Sequence, residues 1–367
     1  MKKVAVTGAN GFIGRHLVRH ALSIGWEVVG LARRGESESE EAFNRFELSG
    51  PPPGEALEGC NALVHTAHAM YSPQQGEADL VNIEGSKRLF ECARNKGVGK
   101  IIYLSSLSSH PSAQSHYGQS KLAVESLLDP ERDCILRLGM ILGPGGFVER
   151  TRDILRRSRF VPLPDGGRQP VYVMHVSDLC RVVERTVRQE LKGVFHVAHP
   201  ADLTVSQVYR SLAKGTRKRP VFLPVPLSWL FAFVRMAESL GFTFPVSSEN
   251  LLGLRAAGKL PVAPDMERIG VRVSSFDELV EYGCFDEPAE SRRESEPPLL
   301  LRLARPGEKE IIEYAREETD YRNVARFQAI TRGPVFGVAL IVGVFLAAAV
   351  LVPFRVIKRF FRRARVA

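Results

Sequence analysis

The order of apolar and polar positions predicts alternating strands and helices over the first third of the chain. Short apolar runs have the length of buried strands, and between them apolar residues recur every three or four positions, as on one face of a helix. This alternation predicts an α/β fold of the Rossmann type, a doubly wound parallel sheet with ligands at the carboxyl ends of its strands. The predicted strands are residues 4–7, 26–32, 45–48, 61–65 and 100–104, and the predicted helices are 15–24 and 79–95.

The first predicted strand ends in three glycines spaced three residues apart, Gly8, Gly11 and Gly14. A strand that enters a helix through such a turn leaves backbone N–H groups and the positive end of the helix dipole facing an anion. Gly8 would allow the tight turn, Gly11 the close approach of a phosphate, and Gly14 the close packing of helix on strand. Because this loop follows the first strand, it predicts a pyrophosphate-binding site.

Two arginines, Arg33 and Arg34, follow the second predicted strand, and the next carboxylate is at Glu36. In a Rossmann unit an acidic residue at this place accepts a hydrogen bond from the ribose of NAD, whereas a cation accommodates the 2′-phosphate of NADP. The sequence therefore favours NADP over NAD, with Arg33 as the first candidate ligand. The alternative is that both arginines lie in a solvent-exposed loop without a ligand.

The candidate chemistry lies at Tyr117 and Lys121, which share one face of a predicted helix because they are four residues apart. An ammonium group this close favours the phenolate and is expected to lower the pKa of Tyr117. Ser105 or Ser106, at the end of the neighbouring strand, could hold a substrate oxygen beside the phenol. These groups predict a hydride-transfer site in which a nicotinamide exchanges hydride with carbon and Tyr117 handles the proton on oxygen.

Six motifs in one order along the chain resemble the extended or atypical short-chain dehydrogenases/reductases, the NAD(P)-dependent epimerase/dehydratase type. The resemblance covers roughly residues 1–283, and as a set the motifs are specific. They are TGANGFIG at 7–14, VNIEG at 81–85, YLSS at 103–106, YGQSK at 117–121, LRLGMILGPG at 136–145 and HVSDL at 175–179.

The resemblance implies a role for each matching residue. Tyr117 would be the catalytic acid or base, Lys121 would bind the nicotinamide ribose, and Ser106 would orient the substrate, with Ser105 left open. The cofactor-binding residues it implies are Thr7, Gly8, Asn10, Gly11, Phe12, Ile13, Gly14, Arg33, Arg34, Thr66, Ala67, Ser105, Tyr117, Lys121, Leu138 and Met140.

One departure from the family pattern affects the expected function. The interval from Ser106 to Tyr117 is shorter than in sugar-nucleotide epimerases, and is similar to that in an atypical subgroup with NADPH reductases and members that have lost catalysis. We therefore expect an NADP-dependent oxidoreductase acting on a hydroxyl or carbonyl of an apolar small molecule. The alternatives are a sugar-nucleotide epimerase or dehydratase, and a non-catalytic NADPH-binding scaffold of a membrane complex.

The resemblance also implies that residues 1–285 form a Rossmann core, about 1–145 and 170–200, and a smaller substrate lobe, about 146–169 and 201–285. His116 and Arg168 are candidate substrate ligands. The largely apolar stretch 222–244 is too short to span a bilayer and predicts either a core helix or an apolar mouth for a lipid-like substrate.

The C-terminal region predicts a membrane anchor. A Pro-rich, charged linker with a possible amphipathic helix spans 286–333, and a transmembrane helix is predicted at 334–354 because Val335–Val352 has no polar side chain. The basic tail at 355–367 and the need for NADPH both favour the cytoplasmic side, although a single-pass helix would separate them. We expect a membrane protein whose catalytic domain faces the cytoplasm, without a leader peptide before the first strand.

Charge and cysteine content narrow the partner classes. The formal charge is +9, but six of the cations lie in the tail and have no acidic neighbour there, so the charge does not indicate a nucleic-acid partner. The five cysteines are widely spaced, which favours a reduced compartment without a zinc site or another metal centre. The sequence leaves the oligomeric state open.

Overall fold

The computed structural model divides the chain into two compact units. Unit 1 comprises the described residues of Met1–Glu149, Pro170–Thr204 and Ala256–Asp286, and unit 2 those of Arg150–Gln169 and Val205–Arg255. The assignment of unit 2 to the substrate stays a prediction. The structure describes residues 1–33, 43–69, 75–144, 148, 151–152, 155–156, 158–201, 203–214, 220–239, 246–255 and 260–281.

Unit 1 contains a parallel sheet with the strand order β11-β6-β5-β4-β1-β2-β3. All its neighbouring strands run in the same direction, and this confirms the predicted Rossmann-like α/β architecture. The strands are β1 Lys3–Thr7, β2 Glu27–Ala32, β3 Phe43–Arg45, β4 Ala62–His65, β5 Lys100–Ser106, β6 Cys134–Leu138 and β11 Gly193–Val197.

The third strand differs from the prediction. Residues 45–48 were expected to form it, but β3 ends at Arg45. The buried side chains of Phe46 and Leu48 belong to the loop that follows. The backbone N–H of Phe46 still donates to the carbonyl of Ala32 at 2.8 Å, after which a turn begins at Glu47. The apolar character of this run therefore reflects burial of a loop beneath the helices rather than strand pairing.

Helices cover both faces of the sheet. Successive side chains of a strand point to opposite faces, so Val4 and Val6 join an apolar cluster with α1 on one face, while Ala5 joins a second cluster with α2 on the other. The helices of unit 1 are α1 Phe12–Ser23, α2 Gln75–Asn95, α3 His116–Glu125, α4 Val176–Arg188, α8 Val262–Ile269 and α9 Phe276–Glu281, with a 3₁₀ turn at Glu55–Leu57.

Short strand pairs extend unit 1 beyond the main sheet. β7 Met140–Leu142 pairs in parallel with β10 Val173–His175. β9 Pro170–Val171 pairs antiparallel with β12 Leu203–Thr204.

Unit 2 is built on a parallel pair of strands, β8 Phe160–Pro164 and β13 Val221–Val225. Its α6 buries Leu230 and Val234 against Leu251 of α7, so this part of the apolar stretch 222–244 is a core helix. Asp165, in a 3₁₀ turn at Asp165–Gly167, accepts from the backbone N–H of Leu227 at 2.9 Å. The helices are α5 Val205–Ala213, α6 Leu227–Ser239 and α7 Ser248–Arg255.

Several predicted features lie outside the described residues. These are Arg34, the linker at 286–333, its amphipathic helix, the transmembrane helix at 334–354 and the basic tail. None of the helices in the described part of the chain is long and apolar enough to cross a membrane.

Candidate active site

The glycine loop has the close packing that its spacing predicts. Gly8 has a φ of +65°, a conformation that favours glycine. A Cβ on Gly8 would lie 2.7 Å from Oγ1 of Thr66, and a Cβ on Gly14 would overlap the carbonyl oxygen of Gly8. Gly11 precedes the first turn of α1, and its N–H donates to the carbonyl of Gly8 at 2.9 Å. The turn therefore brings α1 against the end of β1.

The same loop fits the pyrophosphate of a dinucleotide. The first turn of α1 contains no acidic residue, so nothing in it opposes the positive end of the helix dipole. Nε of Arg15, one turn along, is buried and has no hydrogen-bond partner among the described residues. Asn10 is exposed in the turn, while Phe12 and Ile13 are half-buried at the start of α1. An anion at this helix terminus would face the first-turn N–H groups, which have no partner within the helix itself.

A buried polar chain holds the ends of β1 and β4 together. Oγ1 of Thr7 accepts from the backbone N–H groups of Thr66 and Ala67 at 3.0 and 3.1 Å. It also lies 2.8 Å from Nδ1 of His65, whose Nε2 lies 3.0 Å from Oγ of Ser86. Burial lowers the pKa of His65 to about 3, so the ring is neutral. The sequence predicted His65 only as the last residue of a strand and gave no signal of this connection.

Arg33 follows β2 directly, at the strand end where the adenosine ribose binds in Rossmann units. Its side chain is exposed. Its place in the fold is therefore the predicted one, and its role toward a 2′-phosphate stays a prediction.

Ser106 and Tyr117 meet at the carboxyl end of the sheet. Ser106 is the last residue of β5, and its side chain is hydrogen-bonded to that of Tyr117, in the first turn of α3. Ser115 caps this helix by accepting from the N–H of Gly118 at 3.1 Å. A Cβ on Gly118 would overlap the carbonyl of Ser108, so this glycine lets the first turn of α3 approach the loop that follows β5.

Ser105 has a different partner. Its Oγ donates to Oε1 of Glu125 at 2.5 Å. Arg137 of β6 donates to the same carboxylate through Nη2 at 2.7 Å and Nε at 3.1 Å. Because adjacent strand residues face opposite sides, only Ser106 is directed at Tyr117. Of the two serines, the geometry thus places Ser106 at the reacting group, and sequence reasoning missed the buried Glu125–Arg137 ion pair.

Lys121 is buried beneath Tyr117. Its Nζ donates to the carbonyl of Leu104 at 2.8 Å. It lies 4.8 Å from the ring centroid of Tyr103 and 5.9 Å from that of Tyr117. Burial lowers the pKa of Lys121 to about 7, and Glu125, one helical turn along, acts in the opposite direction. The group can therefore gain or lose its proton near neutral pH.

The prediction that Lys121 lowers the pKa of Tyr117 is wrong. Burial of the phenol raises its pKa, and the hydrogen bond with Ser106 opposes this effect only in part. Lys121 contributes little because its ammonium is directed at the carbonyl of Leu104 and is itself disfavoured by burial. Tyr117 is therefore poised as a proton donor.

His68 is a further group beside Tyr117. The two ring centroids are 5.2 Å apart and the planes are nearly perpendicular, at 89°. Burial lowers the pKa of His68 to about 2, so its imidazole is neutral at physiological pH. Its position three residues after the end of β4 was the available sequence signal for this group.

The remaining candidates occupy different surroundings. Nδ1 of His116 lies 3.3 Å from Oδ2 of Asp79 on α2, and its side chain is 50% exposed. Leu138 is the strand neighbour of Ser106, and the N–H of Met140 donates to the carbonyl of Tyr172 at 2.7 Å. Arg168 is exposed in unit 2, directly after the 3₁₀ turn. Their binding roles stay predictions.

Comparison with known proteins agrees with this geometry. Residues 4–198 match the NAD dependent epimerase/dehydratase family. The chain belongs to this family. The prediction of an NAD(P)-dependent enzyme is thereby confirmed, because the family and its relatives are oxidoreductases, epimerases or dehydratases of this kind.

Individual relatives are distant. The ceramide reductase of Caulobacter vibrioides (strain NA1000 / CB15N) is 28% identical over 241 residues, which cover 61% of this chain and 74% of that protein. A 4-hydroxy-2-methyl-3-oxo-4-farnesyl-3,4-dihydroquinoline-1-oxide ketoreductase of Stigmatella aurantiaca is 25% identical over 211 residues, 48% of this chain and 61% of that protein. Mycobacterial relatives of unknown function match over only 24% of their own length.

A solved structure has a similar fold. MoeE5 in complex with UDP-glucuronic acid and NAD superposes with a TM-score of 0.54 at 26% identity, over 61% of this chain and 85% of that one. The chain is therefore similar in fold to a protein whose structure contains NAD.

Proposed function

We propose that the protein is an NADP-dependent oxidoreductase that acts on a hydroxyl or carbonyl group of an apolar small molecule. The observation that carries this proposal is the hydrogen-bonded pair Ser106–Tyr117 above the buried Lys121, at the carboxyl end of a Rossmann sheet. These groups can exchange a proton with a substrate oxygen, and the glycine loop at Gly8–Gly14 fits the nucleotide that the reaction requires.

The chain's own residues would act on the substrate oxygen. A bound nicotinamide supplies or accepts the hydride at the neighbouring carbon. In the reductive direction, the phenol of Tyr117 donates its proton to the oxygen, while the Ser106 hydroxyl holds that oxygen in place. Lys121 lies 5.9 Å from the centre of the Tyr117 ring, and its pKa of about 7 would let it supply the proton that restores the phenol.

NADP is proposed over NAD because Arg33 follows β2 without an intervening carboxylate. A guanidinium group can donate two parallel hydrogen bonds to the 2′-phosphate. The ribose of NAD offers only a hydroxyl at that place.

An apolar substrate is supported by the names of two relatives, a ceramide reductase and a ketoreductase of a farnesyl compound. Both names describe reduction of molecules with long hydrocarbon parts. Unit 2 also carries exposed apolar side chains, including Met236 of α6.

A second candidate is a sugar-nucleotide epimerase or dehydratase. It is favoured by the similarity to MoeE5, whose structure contains UDP-glucuronic acid. This candidate requires binding of a nucleotide diphosphate, for which Arg168 is the proposed ligand. Stabilisation of the protein by UDP-glucuronic acid, lost in Arg168→Ala, would favour it, whereas an unchanged melting temperature would favour the oxidoreductase.

We also propose a single-pass membrane anchor at 334–354 with the catalytic domain on the cytoplasmic side. The support is the sequence alone, an apolar run between Pro334 and Pro353. Val366→Cys in sealed vesicles tests the topology. Labelling from one side only fixes the location of the tail, and equal labelling from both sides would contradict a spanning helix.

The central test is Tyr117→Phe. NADPH oxidation is followed by absorbance against a panel of long-chain, sterol and ceramide-type carbonyl compounds. We expect the variant to lose turnover while its NADPH dissociation constant, measured by fluorescence, stays unchanged, since only the proton donor is removed. Turnover equal to that of the unmodified protein would refute the oxidoreductase assignment, and tight NADPH binding without turnover in either protein would favour a binding scaffold.

A further inference from the structure

Two strands of unit 2 begin at the same edge. β8 and β13 are parallel, and their register pairs Phe160 with Val221, the first residue of each strand. The side chains of both residues are exposed, Phe160 to 43% and Val221 to 48%. Arg159 and Pro220, which directly precede the two strands, therefore also lie at this edge.

Arginines flank the apolar side chains of this edge. The guanidinium of Arg159 lies 5.9 Å from the ring centroid of Phe160. On the opposite face of the strand pair, the guanidinium of Arg210 on α5 lies 5.4 Å from the ring centroid of Phe222. The backbone also joins the strands here, because the N–H of Val221 donates to the carbonyl of Arg159 at 2.8 Å. We refer to these five residues, Arg159, Phe160, Arg210, Val221 and Phe222, as the basic–aromatic edge.

The charge of the chain is distributed unevenly between the two units. In the segments 150–169 and 205–255, thirteen Lys and Arg face four Asp and Glu, a formal charge of +9. The segments of unit 1 carry 22 Lys and Arg against 27 Asp and Glu, a formal charge of −5. The described cations Arg156 and Lys214 precede β8 and β13 in the chain. An anionic partner is therefore attracted to unit 2 rather than to unit 1.

We propose that the basic–aromatic edge docks unit 2 on the surface of an anionic lipid bilayer. Phe160 and Val221 would enter the boundary between head groups and acyl chains, where aromatic and aliphatic side chains are favoured. Arg159 and Arg210 would contact the lipid phosphates, since basic residues are attracted to the anionic leaflet. A nucleic-acid backbone would match the charge but would leave the exposed Val221 without an apolar partner.

This docking is independent of the proposed reaction and of the C-terminal apolar run. It rests only on residues of unit 2. For a protein that acts on lipid-like molecules, it would place the second unit on the surface from which such molecules are taken.

The test places a fluorescent amino acid at position 221 of the full-length chain, and in a separate protein at Leu22 of α1. Leu22 is a matched control because it is 55% exposed in unit 1. Each protein is mixed with vesicles of phosphatidylcholine, with or without about one third phosphatidylglycerol, that contain lipids brominated near the head group. We expect strong quenching at position 221 on the anionic vesicles and little at position 22. The C-terminal run is present in both proteins and cannot produce this difference.

Charge variants identify the residues responsible. Arg159→Glu combined with Arg210→Glu is expected to weaken the quenching at position 221 on the order of tenfold. The exposed pair Arg19→Glu and Lys87→Glu in unit 1 serves as the control and should have no effect. Phe160→Ser retains every charge and should also reduce quenching, which keeps the test decisive if the double variant does not fold.

Three results would overturn the proposal. Equal quenching at positions 221 and 22, or quenching that does not depend on lipid charge, would exclude this docking edge. Binding of an RNA homopolymer that is lost in the double variant, without quenching by lipid, would show a polyanion site instead. NADPH oxidation with a water-soluble carbonyl compound should be unchanged in the double variant, so failure here is distinguishable from failure of the proposed function.

Discussion

The Oγ of Ser105 donates to Glu125 at 2.5 Å, while the side chain of the next residue is hydrogen-bonded to Tyr117. The side chains of these two adjacent serines thus form hydrogen bonds on opposite sides of β5. We expect Ser106→Ala to lower kcat on the order of a hundredfold, because the substrate oxygen loses a positioned hydrogen-bond donor. Steady-state kinetics with NADPH and the best carbonyl substrate measure this effect.

Ser105→Ala is the matched control. It removes a buried hydrogen bond to a charged group, so we expect a loss of about 1–3 kcal/mol in the free energy of unfolding and a much smaller change in kcat. A larger kcat loss for Ser105→Ala than for Ser106→Ala would contradict the assignment of Ser106.

A second prediction concerns the choice of cofactor. Arg33→Ala should weaken NADPH binding by about tenfold and leave NADH binding unchanged, because an exposed guanidinium contributes modestly to a charge-assisted hydrogen bond. Arg19→Ala, on the exposed side of α1, is the control. Fluorescence titrations measure the dissociation constants of NADPH and NADH for each protein. Tighter NADH than NADPH binding in the unmodified protein would remove the role proposed for Arg33.

The sheet could be predicted from the sequence because its strands are short apolar runs between helical patterns. The residues at strand ends could be predicted for the same reason, since a parallel sheet collects them at one edge. The loop at Phe46 and Leu48 shows the limit. Its apolar pattern matched a strand, but pairing depends on the partner's register, which no local pattern contains.

The polar interactions of the site could not be predicted from the sequence. The hydrogen bonds from Ser105 and Arg137 to Glu125 join three elements that are distant in sequence. The direction of the Tyr117 pKa shift could not be predicted either, because spacing indicates the proximity of Lys121 but not the burial of both groups. Burial opposes ionisation of each, and its magnitude depends on the whole surrounding fold.

A third prediction tests the glycine loop. Gly14→Ala places a Cβ onto the carbonyl oxygen of Gly8, and backbone on both sides must shift. We expect a loss of about 1–3 kcal/mol in the free energy of unfolding together with loss of NADPH binding. Gly99→Ala is the control, because its Cβ would lie at an ordinary contact distance of 3.4 Å from the carbonyl of Asn61. If Gly14→Ala bound NADPH as tightly as the unmodified protein, the proposed pyrophosphate-binding role of this loop would be contradicted.

The last prediction concerns the pH dependence of stability. Lys121 has a pKa of about 7 in the folded chain and about 10.4 when unfolded. Between these values the unfolded state holds a proton that the folded state lacks, so stability rises with pH in this window. The free-energy cost of burying the charged Lys121 ammonium is greatest below pH 7, where the folded chain holds the proton.

Lys121→Met removes this titration and retains the bulk of the side chain. The variant should therefore be more stable than the unmodified protein near neutral pH, although it loses the hydrogen bond to Leu104 and its activity. The difference should shrink by up to about 1.4 kcal/mol per pH unit as the pH rises above 7. Denaturant unfolding of both proteins from pH 6 to 9 measures it. If the free energies of unfolding of the two proteins changed with pH in parallel, Lys121 would be charged in the folded state and stabilised by its surroundings. Another group would then have to exchange the proton with Tyr117.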